Sequence, residues 1–147
     1  MSKRIYISGS LSSLPKDQAE AFKRFYEKLG ESLEKLGCEV YIPHLHSDPE
    51  KHAEMPPSDV YDVDAREVRG ADLTICEMTI PSHGVGGEIE VAAQAGKEVL
   101  LISQEGIHVS RFSRGNPAVR EHILYTDHRH AIEAVNTWII HWLKKSV

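Results

Sequence analysis

The sequence predicts an α/β fold: a mainly parallel, five-stranded sheet with helices on both faces, Rossmann- or flavodoxin-like. Three observations lead there. Short runs of β-branched and aliphatic residues, such as Lys3–Ser8, Leu73–Cys76 and Val99–Ser103, alternate with longer segments of helical period. Glycines stand just past expected helix ends, at Gly37 and Gly96. The chain has 147 residues, which suits one domain over 1–147 with a single core.

The elements follow in order. Lys3–Ser8 is a first strand, and Gly9, Ser10, Leu11, Ser12 and Ser13 form the turn after it. Beyond Pro15, the residues Phe22, Phe25, Tyr26, Leu29, Leu33 and Leu36 mark one face of a long amphipathic helix that Gly37 stops. Glu39–Ile42 is a second strand. The stretch from Pro43 to Pro57 holds four prolines and three histidines and reads as a polar loop. Long loops of this kind often serve as lids. His44 and His46 lack a spaced partner that would complete a metal site, so solvated loop histidines are expected.

Ser58 is expected to cap a helix over Asp59–Gly70. On it, Val60, Asp64 and Val68 share one row, which places Asp64 among apolar neighbours. A carboxylate there is either satisfied by a buried hydrogen bond or is an acid whose pKa is raised by desolvation. Strand three then leads into the most informative stretch, Thr79–Ala95. It combines Pro81, Ser82, the glycines Gly84, Gly86 and Gly87, and an Ala-rich helix with Glu88 expected in its first turn.

Strand, glycine-rich turn and helix form a local recipe for an anion cradle. Glu88 either only complements the helix dipole or is held ionised there as a nucleophile, with its pKa lowered by the helix field. The stretch is neither a Walker A motif nor a clean GxGxxG. Val99–Ser103 is a fourth strand, followed by an irregular segment to Asn116 that carries Ser110, Arg111, Ser113 and Arg114. His122–Tyr125 is a short fifth strand, and Asp127–Lys144 a last helix with a wide apolar stripe. That stripe serves either the core or a second subunit.

Composition bounds the function. A net charge of −5 argues against duplex nucleic acid as the main partner, though a single nucleotide needs only a few polar groups. Cys38 and Cys76 sit in or beside apolar runs and are expected to be buried free thiols. No signal peptide, membrane-spanning run or lipidation motif is visible, so a soluble, cytoplasmic protein is expected. Parallel α/β sheets bind ligands at the carboxyl ends of their strands. Tyr6–Ser10, the Ser82 turn and the loop after strand four all end there, and Asp64 reaches the same crevice if its helix runs down into strand three.

These pieces resemble a known family. The segments IYISGSL, the helix with Asp64 eight residues before the Asp72 of GADLTICEMT, and PSHGVGGEIEVAAQAGKEV are similar to the nucleoside 2-deoxyribosyltransferase superfamily. Within it, the nearer likeness is to the branch of 2′-deoxynucleoside 5′-monophosphate N-glycosidases, and it covers nearly the whole chain. The resemblance implies retaining cleavage of an N-glycosidic bond through a covalent glycosyl-enzyme. Glu88 matches the nucleophile, Asp64 the acid near base and sugar, and Tyr6 the tyrosine that orients the nucleophile.

It further implies that Ser82, Gly84 and Gly86 hold the 5′-phosphate, that Ser8, Gly9 and Ser10 line the substrate site, and that Ser110 reaches the phosphate of a neighbouring subunit in a homodimer. No metal or redox cofactor is implied. The sequence departs from the family where Leu11 and Ser12 follow Gly9-Ser10 in place of a basic residue, and where Gly87 precedes Glu88 in place of a tyrosine. Arg111 and Arg114 are the candidates to replace the basic residue. A base-exchanging transferase and a nucleotide-sensing module are the alternative functions.

Overall fold

The computed structural model describes residues 1–146. Five strands form one sheet in the order β2-β1-β3-β4-β5. They are β1 (Arg4–Ser8), β2 (Glu39–Tyr41), β3 (Leu73–Glu77), β4 (Glu98–Gln104) and β5 (Val119–Tyr125). Every pairing is parallel, with Tyr6 opposite both Tyr41 and Thr74. The helices are α1 (Ala19–Lys35), α2 (His44–Ser47), α3 (Pro57–Gly70), α4 (His83–Gln94), α5 (Arg111–Arg114) and α6 (His128–Lys145). The expected α/β architecture is therefore present, and its sheet is wholly parallel.

Strand alternation divides the core. Ile5, Ile7, Leu73, Ile75, Leu100 and Ile102 face α1 and α6. Tyr6, Cys76, Val99 and Leu101 face the other way, with Val68 of α3 and Val85, Ile89 and Ala92 of α4. Each strand of the sheet's centre is thus apolar on both faces, as burial between two helical layers requires. The stripe of α6 serves the core through Ala131, Val135, Ile139 and Trp142, while Ile140 stays exposed. Both cysteines are free and buried. No described helix is long and apolar enough to cross a membrane.

Helix α1 ends as expected. Gly37 adopts φ 91°, and the N–H groups of Gly37 and Cys38 return to the carbonyls of Glu34 and Leu33. This is a Schellman closure, and it requires a residue free to take positive φ.

Three local expectations are corrected. Helix α3 starts at Pro57 with Pro56 in the capping position, so Ser58 lies inside the first turn. Proline suits that place because its missing N–H would be unpaired anyway. The 43–57 segment is not a solvated loop: it carries α2, and His44, Ser47 and Asp48 are buried. Asp48 is drawn in by Lys23, whose Nζ lies 2.8 Å from Oδ2. Finally, Gly84, Gly86 and Gly87 belong to α4 itself, and none has positive φ. They spell the helix start, not a turn before it.

Candidate active site

Strand β1 lies between β2 and β3, where the chain's path across the sheet reverses, and a crevice opens there at the carboxyl ends. It forms a cleft of about 770 Å³. Its floor and one wall come from Gly9, Ser82, Gly84, Gly87 and Glu88; Asp64 and Val60 of α3 stand opposite. The outer wall is Pro49, His52, Met55 and Tyr61.

Period-two alternation puts Tyr6 and Ser8 on the same side of β1, toward α4. From α4, Glu88 reaches back to both. The Tyr6 hydroxyl donates to Oε2, and the Ser8 hydroxyl donates to Oε1 over 2.8 Å. Each carboxylate oxygen therefore has its own fixed donor, which sets the orientation of the group. Tyr6 and Ser8 are fully buried, so Ser8 braces Glu88 and does not line the cleft. Ser82 caps α4 by accepting the Val85 N–H at 3.3 Å.

Asp64 is half-buried, and its Oδ1 is buried without any hydrogen-bond partner. Of the two possibilities left by the sequence, the desolvated acid is the one present. Burial raises its pKa to about 6, with Glu67 adding to the rise and His46 opposing it.

Glu88 departs from expectation. Helix α4 begins at His83, so Glu88 lies in the second turn, beyond the reach of the helix-end field. Burial raises its pKa to about 7; the Tyr6 and Ser8 hydrogen bonds work against that rise, and the Asp64 charge adds to it. The expected lowering does not occur, because Glu88 lies outside the helix-end field and desolvation outweighs its two hydrogen bonds. Tyr6 in turn is pushed far above the ordinary tyrosine value by burial and by Glu88, so it remains a hydrogen-bond donor at any working pH.

The other predicted residues are placed as follows. Gly9 and Gly84 line the cleft. Ser10 is buried; its carbonyl accepts from the Tyr26 hydroxyl at 3.1 Å, and its Oγ has no partner. Gly86 is exposed on α4, and its N–H is already given to the Ser82 carbonyl at 3.2 Å. Ser110 is exposed at the start of α5 and is not part of this cleft, nor are Arg111 and Arg114. Among the described residues no lysine or arginine lines the cleft. No group of three or more His, Cys, Asp or Glu among them is placed to hold a metal ion. Sequence reasoning did not find His52, Met55, Tyr61 and His83, because nothing local marks residues that meet only through folding.

No protein-family model matches the chain. A protein of Methanosarcina mazei, named as a candidate 2′-deoxynucleoside 5′-phosphate N-hydrolase 1, is 32% identical over 118 residues, covering 78% of this chain and 70% of the relative. The chain belongs to the 2′-deoxynucleoside 5′-phosphate N-hydrolase family. The solved structures agree at the level of fold. Clostridium botulinum CMP N-glycosidase BcmB superposes with a TM-score of 0.70 at 24% identity, over 92% of this chain and 99% of that one. The 2-deoxyribosyltransferase of Bacillus psychrosaccharolyticus does so with 0.64 at 20% identity, over 88% and 90%. This N-hydrolase family member carries its half-buried, doubly braced Glu88 carboxylate at the carboxyl ends of the strands.

Proposed function

We propose that this chain hydrolyses the N-glycosidic bond of 2′-deoxynucleoside 5′-monophosphates, releasing free base and 2-deoxyribose 5-phosphate. One observation carries the reading: Glu88 is held by Tyr6 and Ser8 at the edge of a cleft whose opposite wall presents the unpartnered Asp64. A Glu88 oxygen attacks C1′, forming a C1′–O ester while the C1′–N bond breaks and its electron pair leaves with the base. Asp64, protonated, gives its proton to the departing base. Asp64, now a carboxylate, takes a proton from water as that water attacks C1′, and the Glu88–C1′ bond breaks. Asp64 is then protonated again and Glu88 is free as a carboxylate.

The N-terminal end of α4, with Ser82 and Gly84, receives the 5′-phosphate. A second copy of the chain supplies Ser110 to the same phosphate, as α5 lies exposed with Phe112 on its surface. In this reading 1–147 acts as one domain and needs no metal or redox cofactor.

The test is direct. Purified protein is incubated with a panel of deoxy- and ribonucleotides, and released base is measured by chromatography. The wild type is expected to release base from a deoxynucleoside monophosphate, and Glu88→Ala to release none. Release of no base from any deoxynucleotide by a folded sample overturns the reading.

Base exchange on unphosphorylated nucleosides is favoured by one feature, the lack of a lysine or arginine lining the cleft among the described residues. Adding a second free base and finding a new nucleoside would support that transferase. A nucleotide-sensing module would instead raise the melting temperature with ligand and leave the ligand intact.

A further inference from the structure

Behind the nucleophile lies a column of rings. Tyr6 stacks on Tyr41 with centroids 5.6 Å apart and planes at 15°. Tyr41 stacks on His46 with centroids 4.5 Å apart and planes at 9°. The column runs from fully buried Tyr6 through half-buried Tyr41 to exposed His46. Its outer ring comes from α2, in the 43–57 segment that also walls the cleft. Nothing in the family motifs accounts for this ring.

We propose that His46 is a positioning residue for the reaction: it holds Tyr6 on Glu88 through Tyr41, and from α2 it acts on the Asp64 carboxyl. This rests on the roles proposed above for Glu88 and Asp64. The geometry has two parts. Parallel rings in contact restrict one another's tilt, and the end of the column is the hydroxyl that orients the Glu88 carboxylate. A ring that slides moves the donor, and catalysis is sensitive to small misplacements of a reacting group.

The second part concerns charge. The charge of Asp64 is felt by Tyr6 and Tyr41 from the sheet and by Glu88 from α4, and Asp64 itself feels Glu67 from its own helix and His46 from α2. Arg66 acts on Tyr41. Of these groups, His46 is the one that pulls the Asp64 carboxyl down against burial and Glu67. The same residue is therefore linked to both members of the carboxylate pair, to Glu88 through the stacked Tyr41 and Tyr6 and to Asp64 through its field.

Two substitutions separate the parts. His46→Ala removes ring and charge; His46→Phe keeps a ring and removes the charge. His46 is exposed, so both variants are expected to fold with melting temperatures close to wild type. His46→Ala is expected to lower kcat about tenfold with KM within about twofold. His46→Phe is expected to recover kcat to within about threefold of wild type at its own pH optimum.

In both variants the Asp64 carboxyl, followed by 13C NMR, is expected to titrate at higher pH than in wild type. Wild-type kcat in His46→Ala, equal loss in Ala and Phe, or an unmoved Asp64 titration would each overturn the proposal. The NMR arm needs no turnover. A protein that released no base would refute the proposed function alone, while the titration would still decide whether His46 acts on Asp64.

Discussion

The ring of Tyr26 lies so close to Gly9 that a β-carbon at Gly9 would overlap its Cζ and Cε1 atoms. The Tyr26 hydroxyl then donates to the Ser10 carbonyl one residue on, at 3.1 Å. Helix α1 thereby fixes the turn that follows β1, and that turn carries the cleft floor. Glycine is needed here for space, not for an unusual φ, since Gly9 is not among the residues of positive φ.

Gly9→Ala should therefore behave as an overpacked core site. The expected cost is about 1–3 kcal/mol of stability, read by urea or thermal unfolding. Turnover should fall further than stability alone explains, because the turn lines the cleft. Replacing Tyr26 by Leu in the same protein should relieve part of the cost. A double-mutant cycle showing strict additivity would refute the contact.

The carboxylate pair predicts a bell-shaped pH profile. Glu88 and Asp64 have raised pKa values of about 7 and 6, and each proton belongs to the pair as a whole. Chemistry needs one proton in the pair, on Asp64, with Glu88 ionised; the order of the two values favours that proton on Glu88, so the reactive form is the minor tautomer of the singly protonated pair. Activity should rise as the first proton leaves and fall as the second leaves, with kcat/KM of the free enzyme peaking between about pH 6 and 7. Asp64→Asn should remove the alkaline fall and slow base release by about 10²–10⁴-fold with the fold intact. It should also let Glu88 ionise at lower pH, since the Asp64 charge helps raise it. A wild-type pH dependence and rate in Asp64→Asn would take Asp64 out of the mechanism.

The ion pair of half-buried Lys23 and buried Asp48 should hold the outer wall of the cleft. Burial alone would raise the Asp48 pKa, but the Lys23 ammonium and the Glu50 N–H outweigh it and keep the group below its ordinary value. A lowered folded pKa means stability present above the unfolded value and lost as pH falls through the folded one. Lys23→Met leaves Asp48 buried and unpaired, an expected loss of about 3 kcal/mol at neutral pH. The loss should shrink as Asp48 is protonated on acidification. Because Pro49, His52 and Met55 follow Asp48 directly, KM should rise more than kcat falls. Equal stability of variant and wild type at neutral pH would show that the pair does not hold the segment.

The legible part of this protein was that governed by local rules. Alternation along Lys3–Ser8 and the apolar run Leu73–Cys76 gave two of the strands, helical period from Phe22 to Leu36 gave α1, and Gly37 gave its end. The row Val60–Asp64–Val68 pointed to a desolvated acid, and Asp64 is one. What failed also failed for a physical reason. Gly84, Gly86 and Gly87 suggested a turn, but the capping side chain of Ser82 starts the helix ahead of them. That displaced Glu88 by a turn, out of the helix-end field, and burial then raised its pKa. His44 lay in a stretch of loop composition, yet it packs against Tyr26 and faces Glu27, contacts no window of neighbouring residues contains.

By itself, the order of residues determined the strands, the four long helices and the parallel sheet, and it singled out Glu88 and Asp64 as candidates. Each of these follows from spacing along the chain and from which side of an element an apolar residue occupies. Only the tertiary structure decided how those carboxylates are charged, which rings stand behind Glu88, and what walls the cleft. Those properties depend on desolvation and contact between segments far apart in sequence, as between Tyr6 and Glu88, 82 positions apart. Solvent exclusion and through-space charge are set by the folded neighbourhood, which local pattern does not record.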